Sequence, residues 1–240
     1  MRALKMLALS LVTLTTVIGA KAQTADEVIA KNLQAMGGVE KLKALNSVYF
    51  EGNMEVPGAE LPLKLRQINN KAMRIDFEFN GTENIQVVTA DGGWMLLPVQ
   101  NMTSPMDMPA DQHKIAKRGL SLGGELLDYK EKNKKVELLG KETTNGQEAF
   151  KLKVTDADGT VTTFFIDAST YYVVRSETNI SAGGQSITLK VTSSDYRKTP
   201  EGYVFPYVTT QESVGPAVNF NISKVEINKP IDEAIFKKPA

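Results

Sequence analysis

Cysteine is absent from the 240 residues and histidine occurs once. Disulfides, thiolate nucleophiles, Cys-ligated zinc and iron–sulfur clusters are therefore excluded, and no multi-histidine metal site can be built. An excess of one charge is lacking too, since 28 Lys+Arg balance 28 Asp+Glu and the sequence pI is about 6.6. No broad basic field is available to hold a phosphate backbone, so nucleic acid is not an expected partner. With 42% hydrophobic and 23% charged residues, the chain has the composition of a globular protein, long enough for one large domain or two small ones. No linker and no internal repeat divides it, which favours one.

Long apolar runs are missing, with one short exception at the N-terminus. Arg2 and Lys5 precede an apolar stretch from Met6 to Ile18, and Ala20-Lys21-Ala22 follows. This is the pattern of a cleaved secretory signal over residues 1–22. The 13 residues from Met6 to Ile18, three Thr and one Ser among them, fall short of the ~20 needed to span a bilayer. The mature chain is expected to start at Gln23, outside the inner membrane, with no cysteine to carry an acyl anchor. It holds 25 cations against 28 anions, a net charge of −3 over 218 residues.

Thr24-Ala25-Asp26-Glu27 is a capping box, and Ala25, Val28, Ile29, Leu33 and Met36 recur at helical spacing up to Gly37-Gly38. A second helical turn is predicted from Val39 to Leu45. From Ser47 the period becomes two: Met73, Ile75, Phe77 and Phe79 alternate with Arg74, Asp76 and Glu78, so one face of that strand is buried and the other wet. Similar runs follow at 47–56, 61–69, 84–90, 93–98, 134–140, 148–155, 160–166, 171–179, 185–196, 203–212 and 217–227. Asn69-Asn70, Asn80-Gly81, Asp91-Gly92, Asn145-Gly146, Asp158-Gly159, Gly183-Gly184 and Glu201-Gly202 supply turn chemistry between them. The prediction is an up-and-down antiparallel sheet of about 11–12 strands. Pro62 and Pro206 fall inside strands and require an edge or a bulge, so the sheet is expected not to close. Asn101 to Asp111, rich in Met and Pro, and the interrupted helical stretch from Gln112 to Leu127 break the series. Their natural place is across the concave face of a curved sheet.

Enzymatic constellations are weak. His113 stands in Asp111-Gln112-His113-Lys114 with no Gly-x-Ser-x-Gly elbow to complete a triad. Asp156-Ala157-Asp158-Gly159 starts like a calcium loop, but Gly comes fourth and position twelve is Asp167, so a hairpin turn accounts for it. No spacing selects a glycosidase carboxylate pair, and no glycine pattern cradles a phosphate. What remains is apolar chemistry. Met95, Met102, Met106 and Met108, with Trp94, Phe77 and Phe79, gather unbranched and aromatic side chains that either fill the core or receive an irregular apolar ligand. The Met-Pro loop is a poor core element and a plausible lid.

Four segments then carry a resemblance: Val28 to Leu45 with Ala35-Met36-Gly37-Gly38; Met73-Arg74-Ile75-Asp76; Asp91-Gly92-Gly93-Trp94 with Pro98; and Ile227-Asn228-x-x-Ile231-Asp232-x-x-x-Phe236. In that order the chain resembles the LolA/LolB-like superfamily of periplasmic proteins, particularly its outer-membrane lipoprotein-sorting members. The spacing from Gly92 to Trp94 is shorter than in the carrier proper. The resemblance implies a mainly β fold, an unclosed antiparallel barrel wrapped around a few helices, with an apolar cavity for lipid or lipoprotein acyl chains. It implies a non-catalytic periplasmic carrier without cofactor or metal, expected to be monomeric, with envelope membrane proteins as further expected partners. An envelope stress sensor or interaction module of the same fold is the alternative reading, and a lipid hydrolase acting through His113 the third. The cavity wall or lid is expected among Phe77, Phe79, Trp94, Met95, Leu97, Met106, Met108, Leu120, Leu122 and Leu126. By likeness to the carrier, Arg66 and Arg74 are the candidates for holding a lid. Strand parity forbids Trp94 and Met95 from sharing a face unless the strand is bulged.

Overall fold

The computed structural model describes residues 23–144, 146–182 and 185–239. The signal pattern expected over residues 1–22, and the turn expectations for Asn145 and Gly183-Gly184, fall outside the described residues. Thr24 accepts a hydrogen bond from the Glu27 amide (3.2 Å) and the Glu27 carboxylate accepts one from the Thr24 amide (2.9 Å), so the capping box forms and starts α1 (Ala25–Ala35). Gly37 turns the chain with φ +125°, and a Cβ there would lie 2.9 Å from the Gly202 carbonyl oxygen. A short helix, α2 (Val39–Lys43), follows.

Among the described residues thirteen strands form one sheet. A first meander runs through β1 (Ser47–Val56), β2 (Ala59–Ile68), β3 (Ala72–Phe79), β4 (Thr82–Thr89), β5 (Gly93–Leu96) and β6 (Met106–Asp107). A second runs through β7 (Lys135–Thr144), β8 (Gln147–Thr155), β9 (Val161–Asp167), β10 (Val173–Ala182), β11 (Gln185–Lys198), β12 (Val204–Glu212) and β13 (Val218–Ile227). All ladders are antiparallel, and the first strand pairs with the last, giving the order β6-β5-β4-β3-β2-β1-β13-β12-β11-β10-β9-β8-β7. The edges β6 and β7 do not pair with each other, and the sheet is an unclosed barrel. The strand that periodicity did not predict is β6, too short at two residues to show a period.

Asn228 locks the junction of the two meanders. Its φ of +53° is a left-handed conformation that Asn tolerates better than most residues. Its Oδ1 accepts from the amides of Asn46 (2.7 Å) and Ser47 (3.2 Å), and its Nδ2 donates to the Ala44 carbonyl (3.1 Å). Further along this ladder the register shifts between Glu51 and Gly52. A Cβ on Gly52 would lie 2.0 Å from the Asn221 carbonyl oxygen, so only glycine admits the neighbouring backbone.

Neither proline lies on an edge strand, which corrects that part of the sequence reading. Pro62 is one residue past the last β2–β3 pair, Leu63↔Phe77, and Pro206 lies beyond the β12–β13 ladder, whose last pair is Val208↔Asn221. Each occupies an interior strand where one neighbour has stopped pairing, so no ladder amide is lost.

The connection from β6 to β7 contains α3 (Ala110–Ala116) and a 3-10 turn (Lys117–Leu120). On the concave face, α1 packs Val28, Ile29 and Leu33 against Phe150, Leu152, Phe164 and Ile166 of β8 and β9. At the other end Leu120 packs with Val88, Met95, Leu97 and Met108. On the outer face Ile231, Ile235 and Phe236 cover Ala72, Ile85, Val87 and Trp94, and the Trp94 Nε1 donates to the Phe236 carbonyl (2.9 Å). Trp94 is the only tryptophan and is therefore a clean reporter of this strap. Truncation after Pro230 is expected to red-shift its emission and to lower unfolding stability by at least about 2 kcal/mol, since several apolar side chains lose their cover. Fluorescence-monitored urea unfolding checks both.

Candidate functional site

Cross-strand pairing assigns every strand residue to a face, because paired residues share one. Trp94↔Val87↔Arg74↔Arg66↔Tyr49 is an outer row, under the C-terminal strap. Met95↔Gln86↔Ile75↔Leu65↔Phe50↔Val225 is an inner row on the concave face. The parity conflict between Trp94 and Met95 is resolved without a bulge, with Met95 inside and Trp94 outside.

Of the residues singled out by sequence, Phe77, Phe79, Met95, Leu97 and Met108 lie on the concave side of the β3–β6 end, where Phe77 packs on the cluster around Met95 and Leu120. Met106 pairs with Met95 but is 53% exposed at the edge. Leu122 and Leu126 belong to the segment that crosses the concave face, and both line a cavity of about 290 Å³. Its other walls are Leu33 of α1 and the Met36 that caps it, Leu42 of α2, and Phe164, Val173 and Phe205 of the sheet. The polar groups beside it are spent elsewhere: the Asn32 Nδ2 donates to the Tyr171 carbonyl (2.7 Å) and the Tyr196 hydroxyl to the Val173 carbonyl (2.6 Å). Burial pushes the Tyr196 phenol up, so it stays neutral. The wall therefore presents carbon, with Glu125 at one margin.

Beyond this cavity the concave face continues as apolar rows. Leu61↔Met54↔Phe220 and Leu63↔Gly52↔Ile222 cross β2, β1 and β13, and Leu189 and Ile187 of β11 stand opposite Thr178 and Ile180 of β10. Leu61 and Leu63 are buried, whereas Met54, Phe220, Ile222, Leu189 and Ile187 are only half-buried. Between the two stretches β12 turns Thr209 inward, opposite Phe220 and Ser193, and Gln211, opposite Val218 and Val191, so the trough is apolar across β2, β1 and β13 and mixed toward β11 and β10.

The helix at this trough is weakly anchored by apolar contact. α3 has Pro109 at its N-cap with no side-chain capping bond, and none of its residues is fully buried. Polar contacts hold it, and they join the buried Leu120 in holding the 3-10 turn. The Gln67 Nε2 donates to the Gly119 carbonyl (2.8 Å), the His113 Nε2 bonds the Thr89 carbonyl (2.9 Å), and the Asn70 amide donates to the Leu120 carbonyl (2.8 Å). The Arg118 Nη2 reaches both Glu125 oxygens (2.8 and 2.9 Å) and Thr162 (3.2 Å), while its Nη1 pairs with Asp156. Lys134 completes the network with Asp156 (2.8 Å) and Glu125 (3.3 Å). Burial alone would raise the Asp156 carboxyl, but Lys134 and Arg118 outweigh it and hold the group below its ordinary value.

Arg66 and Arg74 sit elsewhere. They flank the buried Asp76 (Arg66 Nη1 at 2.8 Å, Arg74 Nε at 2.7 Å), and the Arg74 Nη1 donates to the Ile235 carbonyl (2.9 Å). Both arginines serve the strap on the outer face, away from α3. The guanidinium that clasps the α3 segment is Arg118, carried by that segment itself. Sequence reasoning missed it because its carboxylate partners lie 7 and 38 residues away along the chain, in a turn and at the end of a strand. Among the described residues no group of three or more His, Asp or Glu side chains is placed to hold a metal ion, and no helix is long and apolar enough to cross a membrane.

No family model matches the chain, and no curated protein matches it in sequence. Solved structures do match in fold. A domain from Vibrio parahaemolyticus named for outer membrane lipoprotein sorting superposes with a TM-score of 0.55 at 16% identity, covering 88% of this chain and 94% of its own. A LolA superfamily protein from Nitrosomonas europaea gives 0.59 at 15% identity, with 90% and 99% covered. A DUF1329 family protein from Desulfovibrio piger gives 0.54 at 12% identity, with 90% and 98% covered. The fold is LolA-like, as the motifs along the sequence imply.

Replacing Arg118 with Met keeps the stem and removes the charge shared by Glu125 and Asp156. Expected outcomes are faster amide exchange over 110–127 with α1 unaffected, and a loss of about 1–3 kcal/mol, below the ~3–5 kcal/mol for a fully buried pair. The depressed Asp156 value adds a pH dependence. Its stabilisation is complete above the ordinary 3.8 and is lost as the pH falls through the lower folded value. Protection of the amides over 110–127, taken relative to the intrinsic exchange rate at each pH, is therefore expected to fall below about pH 4 in the wild type and to lose that dependence in Asp156→Asn.

Proposed function

We propose that this protein is a non-catalytic periplasmic binder and carrier of acyl chains, acting in outer-membrane lipoprotein sorting or lipid trafficking. The observation that carries the reading is the concave face itself: a half-exposed apolar trough on β2, β1 and β13 beside a cavity walled mostly by carbon. At about 0.8 kcal/mol per buried methylene, a chain segment of about five methylenes gains ~4 kcal/mol on entering. A cavity of about 290 Å³ is at the lower end of the ~300–1,000 Å³ range of small-molecule sites. It takes one end of such a chain, and the trough takes the rest. An exposed apolar surface of this kind on a secreted chain is a liability unless it is used.

The fold likeness to a lipoprotein-sorting domain agrees with this reading, as does the signal pattern over residues 1–22. Catalysis by His113 is disfavoured because its Nε2 is engaged by the Thr89 carbonyl (2.9 Å). The proposed carrier is a single mature domain from Gln23 onward.

Expression with the leader, purification without detergent and native mass spectrometry are expected to reveal a co-purifying acyl-bearing ligand. A fluorescent fatty-acyl probe is expected to bind the delipidated protein. Ile222→Glu, which places a charge in the trough, is expected to weaken the probe by about tenfold or more while the far-ultraviolet spectrum is unchanged. A folded protein that carries no lipid and binds no acyl probe would sink the carrier reading and leave the partner-sensing module.

A further inference from the structure

On the β10 side the concave face reaches Ile180, which also lines a second cleft, of about 220 Å³, between α3 and the β8–β9 hairpin. Ile115 and Ile180 give this cleft an apolar element, and Ile180 belongs to the same concave row as Ile187. Its remaining character is polar and of both signs, from Lys114, Arg118, Asp111 and Asp158. Arg118 lines this cleft and Glu125 lines the apolar cavity, so their bidentate bond at 2.8 and 2.9 Å is the partition between the two.

The charges are unequal in freedom. Arg118 is 20% exposed and saturated by Glu125 and Asp156. Lys114 and Asp158 form a single ion pair at 3.0 Å, with side chains 66% and 42% exposed. Exposed pairs contribute little, so this one separates at small cost. Asp158 is fixed when it does, because its Oδ1 accepts the Thr160 amide of the hairpin turn (3.0 Å). Lys114 is on a flexible stem. Separation therefore leaves an anchored carboxylate and a swinging ammonium at the mouth of an apolar trough.

A purely anionic head in this cleft faces Asp158 and Asp111, and a neutral head gains nothing from opening the pair. A head carrying both a phosphate and an ammonium replaces the ion pair with two, ammonium on Asp158 and phosphate on Lys114. We infer that the cleft between α3 and the β8–β9 hairpin seats the zwitterionic phosphate–ammonium headgroup of a phospholipid whose acyl chain lies along the concave trough. The inference rests on the acyl-binding reading above and specifies its ligand.

The test is competition against a bound fluorescent fatty-acyl probe on the full secreted chain. Three palmitoyl amphiphiles are compared below their micelle-forming concentrations: lysophosphatidylethanolamine, lysophosphatidylglycerol and monoacylglycerol. The zwitterionic lipid is expected to displace the probe at a concentration at least about tenfold lower than either of the others. Lys114→Met and Asp158→Asn are each expected to bring the three within about threefold of one another. Asn at 158 keeps an acceptor for the Thr160 amide, and the readout is a ratio within one variant, so a reduced folded fraction cancels. Equal displacement by all three in the wild type, or an anionic lipid competing as well as the zwitterionic one, overturns the headgroup assignment and leaves acyl binding intact. If no amphiphile and no probe binds the folded protein, the acyl-binding reading falls and the headgroup site with it.

Discussion

The antiparallel ladder between β1 and β13 joins two meanders that would otherwise be separate sheets, each with an extra open edge. It runs from Val48↔Ile227 to Glu55↔Asn219 and is interrupted only by the shift at Gly52. Asn228 closes its lower end by bonding the amides of Asn46 and Ser47 and the carbonyl of Ala44. Because the pairing is between chain-distant strands, the rest of the curvature follows from it. With the first strand placed beside the last, the two free edges, β6 and β7, are carried to the far ends of the sheet, and the only covalent link across that gap is the segment bearing α3.

That topology explains why the concave face is divided. α1 enters before β1 and buries its stripe on β8 and β9, the distal part of the second meander. The 3-10 turn after α3 buries Leu120 on the β4–β5 side, the distal part of the first. The strands between, around the β1–β13 seam, have no helix of their own to cover them. Their inward residues are nonetheless Met54, Phe220 and Ile222, and folding alone gives no reason for those to be apolar. A seam that structure leaves half-covered and sequence keeps hydrophobic has the character of a binding surface.

The sheet was largely legible in the sequence, because a period of two with turn dipeptides reports a strand locally. The capping box at Thr24 and the turn at Asp158-Gly159 were legible for the same reason, both being contained within four residues. What local pattern does not carry is which face is which. Trp94 and Met95 could be assigned only once Val87 and Gln86 were known to stand opposite them. The strap role of Arg74 depends on the Ile235 carbonyl, 161 residues away. Pro62 and Pro206 called for an edge or a bulge and lie instead on interior strands, since an interior strand whose neighbour runs out presents the same unpaired side as an edge. Resemblance supplied the expectation of a lid-holding arginine on an early strand, and the structure has its clasp on the segment being held.

This difference bears on how the site opens. A segment anchored by burial releases only when its apolar surface finds another partner, whereas one anchored by ion pairs releases when those pairs are exchanged or weakened. Arg118, Glu125, Asp156 and Lys134 together span the α3 segment, the following turn and the top of β8, so their separation removes its central polar tie and leaves the bonds from Gln67, Asn70 and His113. Leu120 and Leu126, buried at 3% and 4%, resist that separation from either side of the network. On the acyl-binding proposal, a chain entering the cavity would offer those leucines the same apolar contact they leave, so the displacement would be opposed chiefly by the segment's polar contacts rather than by lost burial.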